Sequence, residues 1–341
     1  MKQHEQEKML TILHRCLPDL DGIIPTDICP ISGGGNNRLF KVTAAGVSIV
    51  LKRYFRHPAD LRNRLDSEFC FSNFLWQRGV RCIPEPLGRD DETGTGLYRY
   101  VEGATIAPAG ITGHYVNDAL SFLSQANEWR HHAEALTLPD ASEACFTLRQ
   151  HLDLVERRIE RLLDISQDDG VHAEAASFVS QRLLLAWDSV RDQFLRRVGE
   201  TNQVLEEPLA IADRILSPSD FGFHNTLQTA QGLIFYDFEY AGWDDPAKMV
   251  CDFFCQIAIP VPMCYWDAVR RACAKLTISP EKILLRMELL LPLYRVKWVC
   301  IALNHFLKVD GERRRFAKGS EQMHLTTQLG LAEELLSAIQ Y

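Results

Sequence analysis

The sequence predicts an α+β fold in two lobes, a small β-rich lobe over residues 1–102 and a larger, mainly helical lobe over 103–341. Three observations predict it. Residues 28–101 carry short β-like runs separated by Gly- and Asp-rich turns. Beyond Glu102-Gly103 the apolar spacing changes to the helical period and holds over long windows without strong breakers. The length of 341 residues is enough for two such lobes with a substantial buried core.

Taken in order, residues 1–16 read as a short amphipathic helix with Met9, Ile12, Leu13 and Cys16 on one face. Runs at 39–42 and 47–54 flank Ala44-Ala45-Gly46 and predict a hairpin. A helix is expected over about 58–78, stopped by Gly79. A second hairpin-like unit over 82–101 is punctuated by Asp90-Asp91-Glu92-Thr93-Gly94, and a hinge follows near 99–103. The windows 114–135, 145–164 and 173–198 read as helices, and Glu156 and Glu160 among Arg157, Arg158 and Arg161 read as a solvated helix face. A brief β-rich interlude spans 225–238, after which helices resume to the end.

Composition narrows the function classes. A net charge of −8 argues against a protein held to nucleic acid mainly through phosphates. The polar first ten residues are unlike a secretory signal, and the apolar windows 249–264 and 288–301 are broken by Asp252, Pro260, Pro262, Pro292, Arg295 and Lys297. Neither a membrane nor a nucleic-acid partner is therefore expected, and the expected compartment is the cytoplasm. The ten cysteines lack zinc-site spacing and read as reduced, mostly buried small hydrophobes.

The chemistry lies in Ser219-Asp220-Phe221-Gly222-Phe223-His224-Asn225 and in the hairpin-like run after it, which ends at Asp237. The literal Asp-Phe-Gly spells the metal-binding tripeptide of protein kinases, but no Asp-x-x-x-x-Asn loop precedes it at the required distance. Instead Asp220 is itself followed five residues later by Asn225, and twelve further on by Asp237 at the end of an apolar strand. Asp220 thus occupies the catalytic-loop position, with Asn225 and Asp237 as the metal ligands. Phosphoryl transfer needs a carboxylate near the attacking hydroxyl and a metal to offset charge on the β- and γ-phosphates. A short loop presents the carboxylate and an amide oxygen together, and a hairpin returns the second carboxylate. Oxygen-only ligation of this kind suits Mg²⁺.

Residues 217–227, followed by Asp237-Phe238-Glu239-Tyr240-Ala241 and by Asp245-Pro246 and Asp252, resemble the aminoglycoside phosphotransferase and choline kinase superfamily, whose members have a protein-kinase-like fold. The resemblance runs through nearly the whole chain, although residues 110–205 add no motif. It implies roles for four further parts. Ser32, Gly33 and Gly34 open a phosphate-covering loop whose backbone N–H groups approach phosphate oxygens. Lys52 matches the strand lysine on the α- and β-phosphates, and Glu68 the helix glutamate that positions it. The Arg99 carbonyl and Val101 amide match the linker atoms that hold the adenine edge. Each motif alone is weak; their order and spacing carry the argument.

Two positions depart from the superfamily pattern. The His two residues before the catalytic Asp, which braces the loop in relatives, is Pro218 here. The basic side chain that relatives often carry two residues after that Asp is Gly222 here, while His224 precedes Asn225. The expected activity is ATP-dependent and Mg²⁺-dependent phosphorylation of a hydroxyl on a small molecule, with GTP as a possible donor. The resemblance offers an amino alcohol, aminoglycoside or amino sugar as acceptor, since acidic clefts in the superfamily attract cations. A nucleotide-binding regulatory module without turnover is the alternative that Pro218 and Gly222 suggest. Protein-kinase activity is disfavoured because no Ala-Pro-Glu segment follows Asp237. Trp298 and Asn304 are candidates for the acceptor pocket, and Trp243 for facing the site. Tyr294 and Phe306 read as core, and the His131-His132 pair as surface.

Overall fold

A computed structural model describes residues 3–18, 27–31, 37–44, 46–57, 60, 62–168, 170–307 and 325–339. The chain opens with helix α1 (Gln3–Cys16), followed by strands β1 (Asp27–Ile31), β2 (Arg38–Ala44) and β3 (Val47–Arg53). Helix α2 (Arg64–Gln77) then leads to β4 (Pro86–Asp90) and β5 (Thr95–Arg99). These strands form one antiparallel sheet in the order β1-β2-β3-β5-β4. The tight turn between β2 and β3 uses Gly46 at φ 76, in the left-handed region that a side chain disfavours. Met9, Ile12 and Leu13 of α1 are buried against Phe40, Val42, Ile49, Leu51 and Leu97 of the sheet, as the apolar face of that segment predicts.

Helix α2 starts at Arg64, later than the 58–78 estimate, where the Asn63 side chain accepts a hydrogen bond from the Asp66 amide. Its Phe71, Phe74 and Leu75 join the main core, which continues through the helical part.

After β6 (Ala104–Thr105) come α3 (Gly113–Glu128), α4 (Leu148–Leu162), α5 (Gly170–Phe178) and α6 (Leu184–Glu200). The three helical windows are therefore present, the third divided into α5 and α6 by a π turn at Val179–Leu183. Thr147 and Gln150 close a reciprocal capping box at the start of α4. Strand β7 (Ile215–Ser217) precedes the hairpin β8 (Thr226–Thr229) and β9 (Gly232–Phe235), and β10 (Gly242–Asp244) returns to pair with β7. The β7–β10 pair is absent from the sequence reading, because its strands are only three residues long and carry no alternation.

Helices α7 (Pro246–Cys255) and α8 (Trp266–Ala274) pack on the long α9 (Pro280–Leu303), which also meets α4, α6 and α10 (Leu325–Ser337). No helix among the described residues is long and apolar enough to cross a membrane. All ten cysteines are free thiols; five are buried, fewer than the sequence suggests.

Candidate active site

The sheet and helix α2 set the first cluster. Lys52 lies near the end of β3, opposite Gly96 of β5, and is almost fully buried. Its Nζ donates to Glu68 Oε2 of α2 at 2.6 Å and also to Asp237 Oδ1. Burial pushes the Glu68 carboxyl well above its ordinary value, against the pull of Lys52. Burial also pushes Asp237 up; Lys52 opposes this, and Glu239 adds to it. Lys52 thus faces two carboxylates directly, while Glu239 beyond them lies 3.9 Å from the Arg64 guanidinium. Asn37, next to the Gly-rich segment, ties this cluster down. Its Nδ2 donates to Glu239 Oε2 at 2.6 Å, and its Oδ1 accepts from the Phe55 amide at 3.2 Å.

The second cluster is the loop after β7. Hairpin register places Thr226 opposite Phe235, so Asn225 sits beside Tyr236, whose amide donates to the Asn225 carbonyl at 3.0 Å. The next residue, Asp237, has φ 68, a left-handed backbone in which a non-glycine residue stores strain. Asn225 Nδ2 donates to the Asp220 carbonyl at 2.9 Å, which commits the amide nitrogen and leaves its oxygen for another partner. His224 Nε2 lies 3.3 Å from Asp220 Oδ1. Burial pushes the Asp220 carboxyl up, but the hydrogen bond and charge of His224, together with Lys297, pull it below its ordinary value. It is therefore a carboxylate at neutral pH.

Both departures from the superfamily pattern have local replacements. Beside Pro218, Ser217 Oγ accepts from the Ser219 amide at 3.0 Å, and the β7–β10 pairing fixes the loop's entry. Asn127 of α3 clamps β7 by bonding both the amide and the carbonyl of Leu216. The absence of a side chain at Gly222 lets the His224 ring fold over it toward Asp220; a Cβ there would stand 2.7 Å from His224 Nδ1.

The structure therefore brings together Lys52, Glu68, Asp220, Asn225 and Asp237. Arg99 ends β5, with its guanidinium on Glu85 at 2.9 Å, and Val101 follows in the segment that leads to β6. Ser32, Gly33 and Gly34 lie outside the described residues. Trp243 does not face the site; it is buried in the core and donates to the Ala135 carbonyl at 2.9 Å. Tyr294 and Phe306 are buried, as the sequence reading has them.

Asp220 and His224 open onto a cleft of about 580 Å³, which Trp298 and Asn304 also line. Sequence reasoning misses the rest of its wall. Arg158 and Arg161, read as solvated, line the cleft from α4, along with Arg62, Lys248 and Lys297. The signal for Arg158 was its position beside Val155, Ile159 and Leu162, which are buried. Asp252 accepts from Lys297 at 2.8 Å and from Trp298 Nε1 at 2.8 Å, with Lys248 3.5 Å away. Behind it, Asp245 caps α7 through the Ala247 amide and holds His151 and Arg286.

A sheet-rich N-terminal part, a helical C-terminal part and this site geometry define the class of kinase-like phosphotransferases. The chain belongs to the phosphotransferase enzyme family, whose model matches residues 27–272. Solved structures agree on the fold. A choline kinase from Cryptosporidium parvum superposes with a TM-score of 0.54 at 14% identity, over 97% of this chain and 96% of that one. A spectinomycin phosphotransferase bound to AMP gives 0.61 at 11% identity, over 98% and 99%. The gentamicin complex of APH(2")-IIa gives 0.58 at 14%, over 100% and 97%. No curated protein matches the chain significantly.

Proposed function

We propose that this protein is an ATP-dependent, Mg²⁺-requiring kinase that transfers the γ-phosphoryl group to a hydroxyl of a small molecule. The observation that carries this reading is the convergence of Lys52, Glu68 and Asp237 beside the Asp220–Asn225 loop, where that loop borders an open cleft. In this reading the lobes divide at residue 102. Lys52, held by Glu68, fixes the α- and β-phosphates, and the backbone of Ser32, Gly33 and Gly34 covers them. The Arg99 carbonyl and the Val101 amide hold the adenine edge, and GTP is the alternative donor.

The donor set fits Mg²⁺. Asp237 supplies a carboxylate close to those of Glu239 and Asp220, and Asn225 an amide oxygen. Among the described residues no three His, Cys, Asp or Glu side chains form a metal cage, and Mg²⁺ shared with phosphate oxygens needs none. When bound, the ion offsets charge on the β- and γ-phosphates.

Asp220 orients the acceptor hydroxyl and takes its proton. The acceptor oxygen bonds to the γ-phosphorus as the bond to the bridging oxygen breaks, and that oxygen leaves on ADP with the electron pair. The regulatory-module alternative rested on Pro218 and Gly222; the Ser217 brace and the position of His224 weigh toward turnover. Amino alcohols, aminoglycosides and amino sugars share the one feature that this chemistry requires, a free hydroxyl.

The test is a screen of hydroxyl compounds for conversion of ATP to ADP by the purified protein with Mg²⁺, with Asp220→Asn as the control that loses turnover and keeps nucleotide affinity. Absence of any thermal stabilisation by saturating Mg-ATP or Mg-GTP would sink the reading.

A further inference from the structure

Resting on the kinase reading, we propose that the acceptor carries an oxyanion, a carboxylate or phosphate, in addition to its hydroxyl, and that Arg158 and Arg161 of α4 receive it. The charge arrangement of the cleft points there. Five arginines and lysines line it, Arg62, Arg158, Arg161, Lys248 and Lys297, of which Lys248 is held by Asp244 at 2.8 Å behind the wall. The carboxylates that line it number four, and each already has a basic partner. Asp60 is held by Arg62 at 2.6 Å and Arg64 at 2.5 Å, and Glu143 by Arg158 at 2.5 Å. Asp252 is held by Lys297, and Asp220 faces His224. An ammonium entering this cleft would meet carboxylates that already share their charge with a basic partner. An acidic cleft of the sort the resemblance implies is not what these side chains build.

Glu143 reports the local potential. Burial pushes its carboxyl up, yet Arg158, Lys297 and Lys248 together bring it down to about 2. A second carboxylate on an acceptor would meet the same field. Arg158 has capacity left for it: Glu143 engages Nη2, whereas the buried Nε has no hydrogen-bond partner among the described residues. Such an unmet buried donor is costly unless a ligand or water completes it. Arg161 follows three residues later on the same helix face and is more exposed, which suits a group that meets the ligand as it enters. A planar guanidinium matches an oxyanion with two parallel donors. The cleft volume of about 580 Å³ accommodates a molecule of sugar or small-oligosaccharide size.

The experiment compares D-glucuronate and D-galacturonate (carboxylates), glucose 6-phosphate (a phosphate), glucose (neutral), and choline, glucosamine and kanamycin (cations). Each is measured as acceptor with Mg-ATP, and in parallel by calorimetric binding without nucleotide. The expected result is a preference of about tenfold or more in kcat/KM for an anionic member over glucose, and the two anionic arms identify which oxyanion is used. Arg161→Gln raises KM for that acceptor by about tenfold with KM for ATP unchanged, and Arg161→Lys recovers part of the loss. A preference for glucose or for a cation overturns the proposal and leaves the kinase reading standing. An Arg161→Gln effect on KM for ATP alone also overturns it, because the cations would then serve the nucleotide. Mg-ATP binding without binding or turnover of any anionic member counts equally against it. Loss of Mg-ATP binding itself would remove the kinase reading, while the calorimetric arm still judges the anion site.

Discussion

His224 reaches Asp220 because residue 222 is glycine: Nε2 stands 3.3 Å from Asp220 Oδ1, and a Cβ on Gly222 would approach His224 Nδ1 to 2.7 Å. That contact is with the movable end of a side chain, so Gly222→Ala should fold and displace the imidazole. Asp220 then loses the partner that holds its carboxyl low, and its pKa rises. The expected outcome is a fall in kcat of about tenfold or more, and an acid limb of the kcat/KM profile moved to higher pH. His224→Ala should act alike, and the double variant should cost little beyond either single change. Additive losses in the double variant would show that Gly222 matters for another reason.

Asp237 is a liability to the empty fold. Its folded pKa lies above the unfolded value, so ionised Asp237 subtracts stability at neutral pH; the fold is favoured below the unfolded pKa, and that advantage is lost as pH rises through the folded one. Asparagine suits the left-handed backbone at φ 68 and carries no charge. Asp237→Asn should therefore stabilise the nucleotide-free protein by about 1 kcal/mol while losing activity. It should also forfeit most of the ~2.7 kcal/mol that Mg-ATP at 100 times its Kd gives the wild type. Thermal melts with and without Mg-ATP check both signs. A less stable Asp237→Asn protein without nucleotide would refute the electrostatic part.

The order of motifs was legible because it is written in spacing: Lys52 ends a largely apolar run, Glu68 falls on the next helix, and Asp220, Asn225 and Asp237 keep fixed intervals on a loop and hairpin. Local chain geometry sets those distances, so a linear sequence carries them. The acceptor cleft was not legible in this way. Arg158 borders the buried stripe of its own helix and Arg161 is exposed, and Lys248 on α7 and Lys297 on α9, far away in sequence, complete the cleft wall around them. Asn37 was passed over for the same reason, since its partner Glu239 is 202 residues away. Trp243 was misplaced because nearness in sequence to Asp237 says nothing about side, and β10 turns it into the core.

Asn37 gives a graded test of the contact that ties the residue before β2 to Glu239. Asn37→Ala removes the donor to Glu239 and the acceptor for the Phe55 amide, and should cost about 1–3 kcal/mol of stability. Asn37→Asp keeps the acceptor but sets a second carboxylate against Glu239. It should be at least as destabilising at pH 7 and recover on acidification, as the added carboxyl takes up a proton. Denaturant melts at pH 5 and pH 7 decide this. If Asn37→Asp matched the wild type at pH 7, the Asn37–Glu239 contact would carry no weight.

His151 links stability to pH from inside the helical core. Its Nε2 lies 3.1 Å from Asp245 Oδ2 and its Nδ1 2.8 Å from the Tyr294 hydroxyl. Asp245 is held well below the ordinary carboxylate range; burial alone would raise it, and Arg286 and His151 overcome that. An ionised Asp245 accepts from Nε2–H, so Tyr294 donates to an unprotonated Nδ1 and the ring is neutral. Burial lowers the His151 pKa from 6.5 to about 4, outweighing the pull of Asp245. Because the folded value is depressed, the unfolded chain binds the proton first. The contribution is fully present above pH 6.5 and is lost as pH falls toward 4. His151→Gln retains one acceptor and one donor without titrating. The wild type should therefore lose about 1.4 kcal/mol per pH unit relative to this variant, approaching about 3 kcal/mol near pH 4. Chemical denaturation of both proteins between pH 7.5 and about 4.5 measures the difference. Parallel stability curves across that range would mean that His151 is charged in the folded protein, and the neutral Nε2–H tautomer would be wrong.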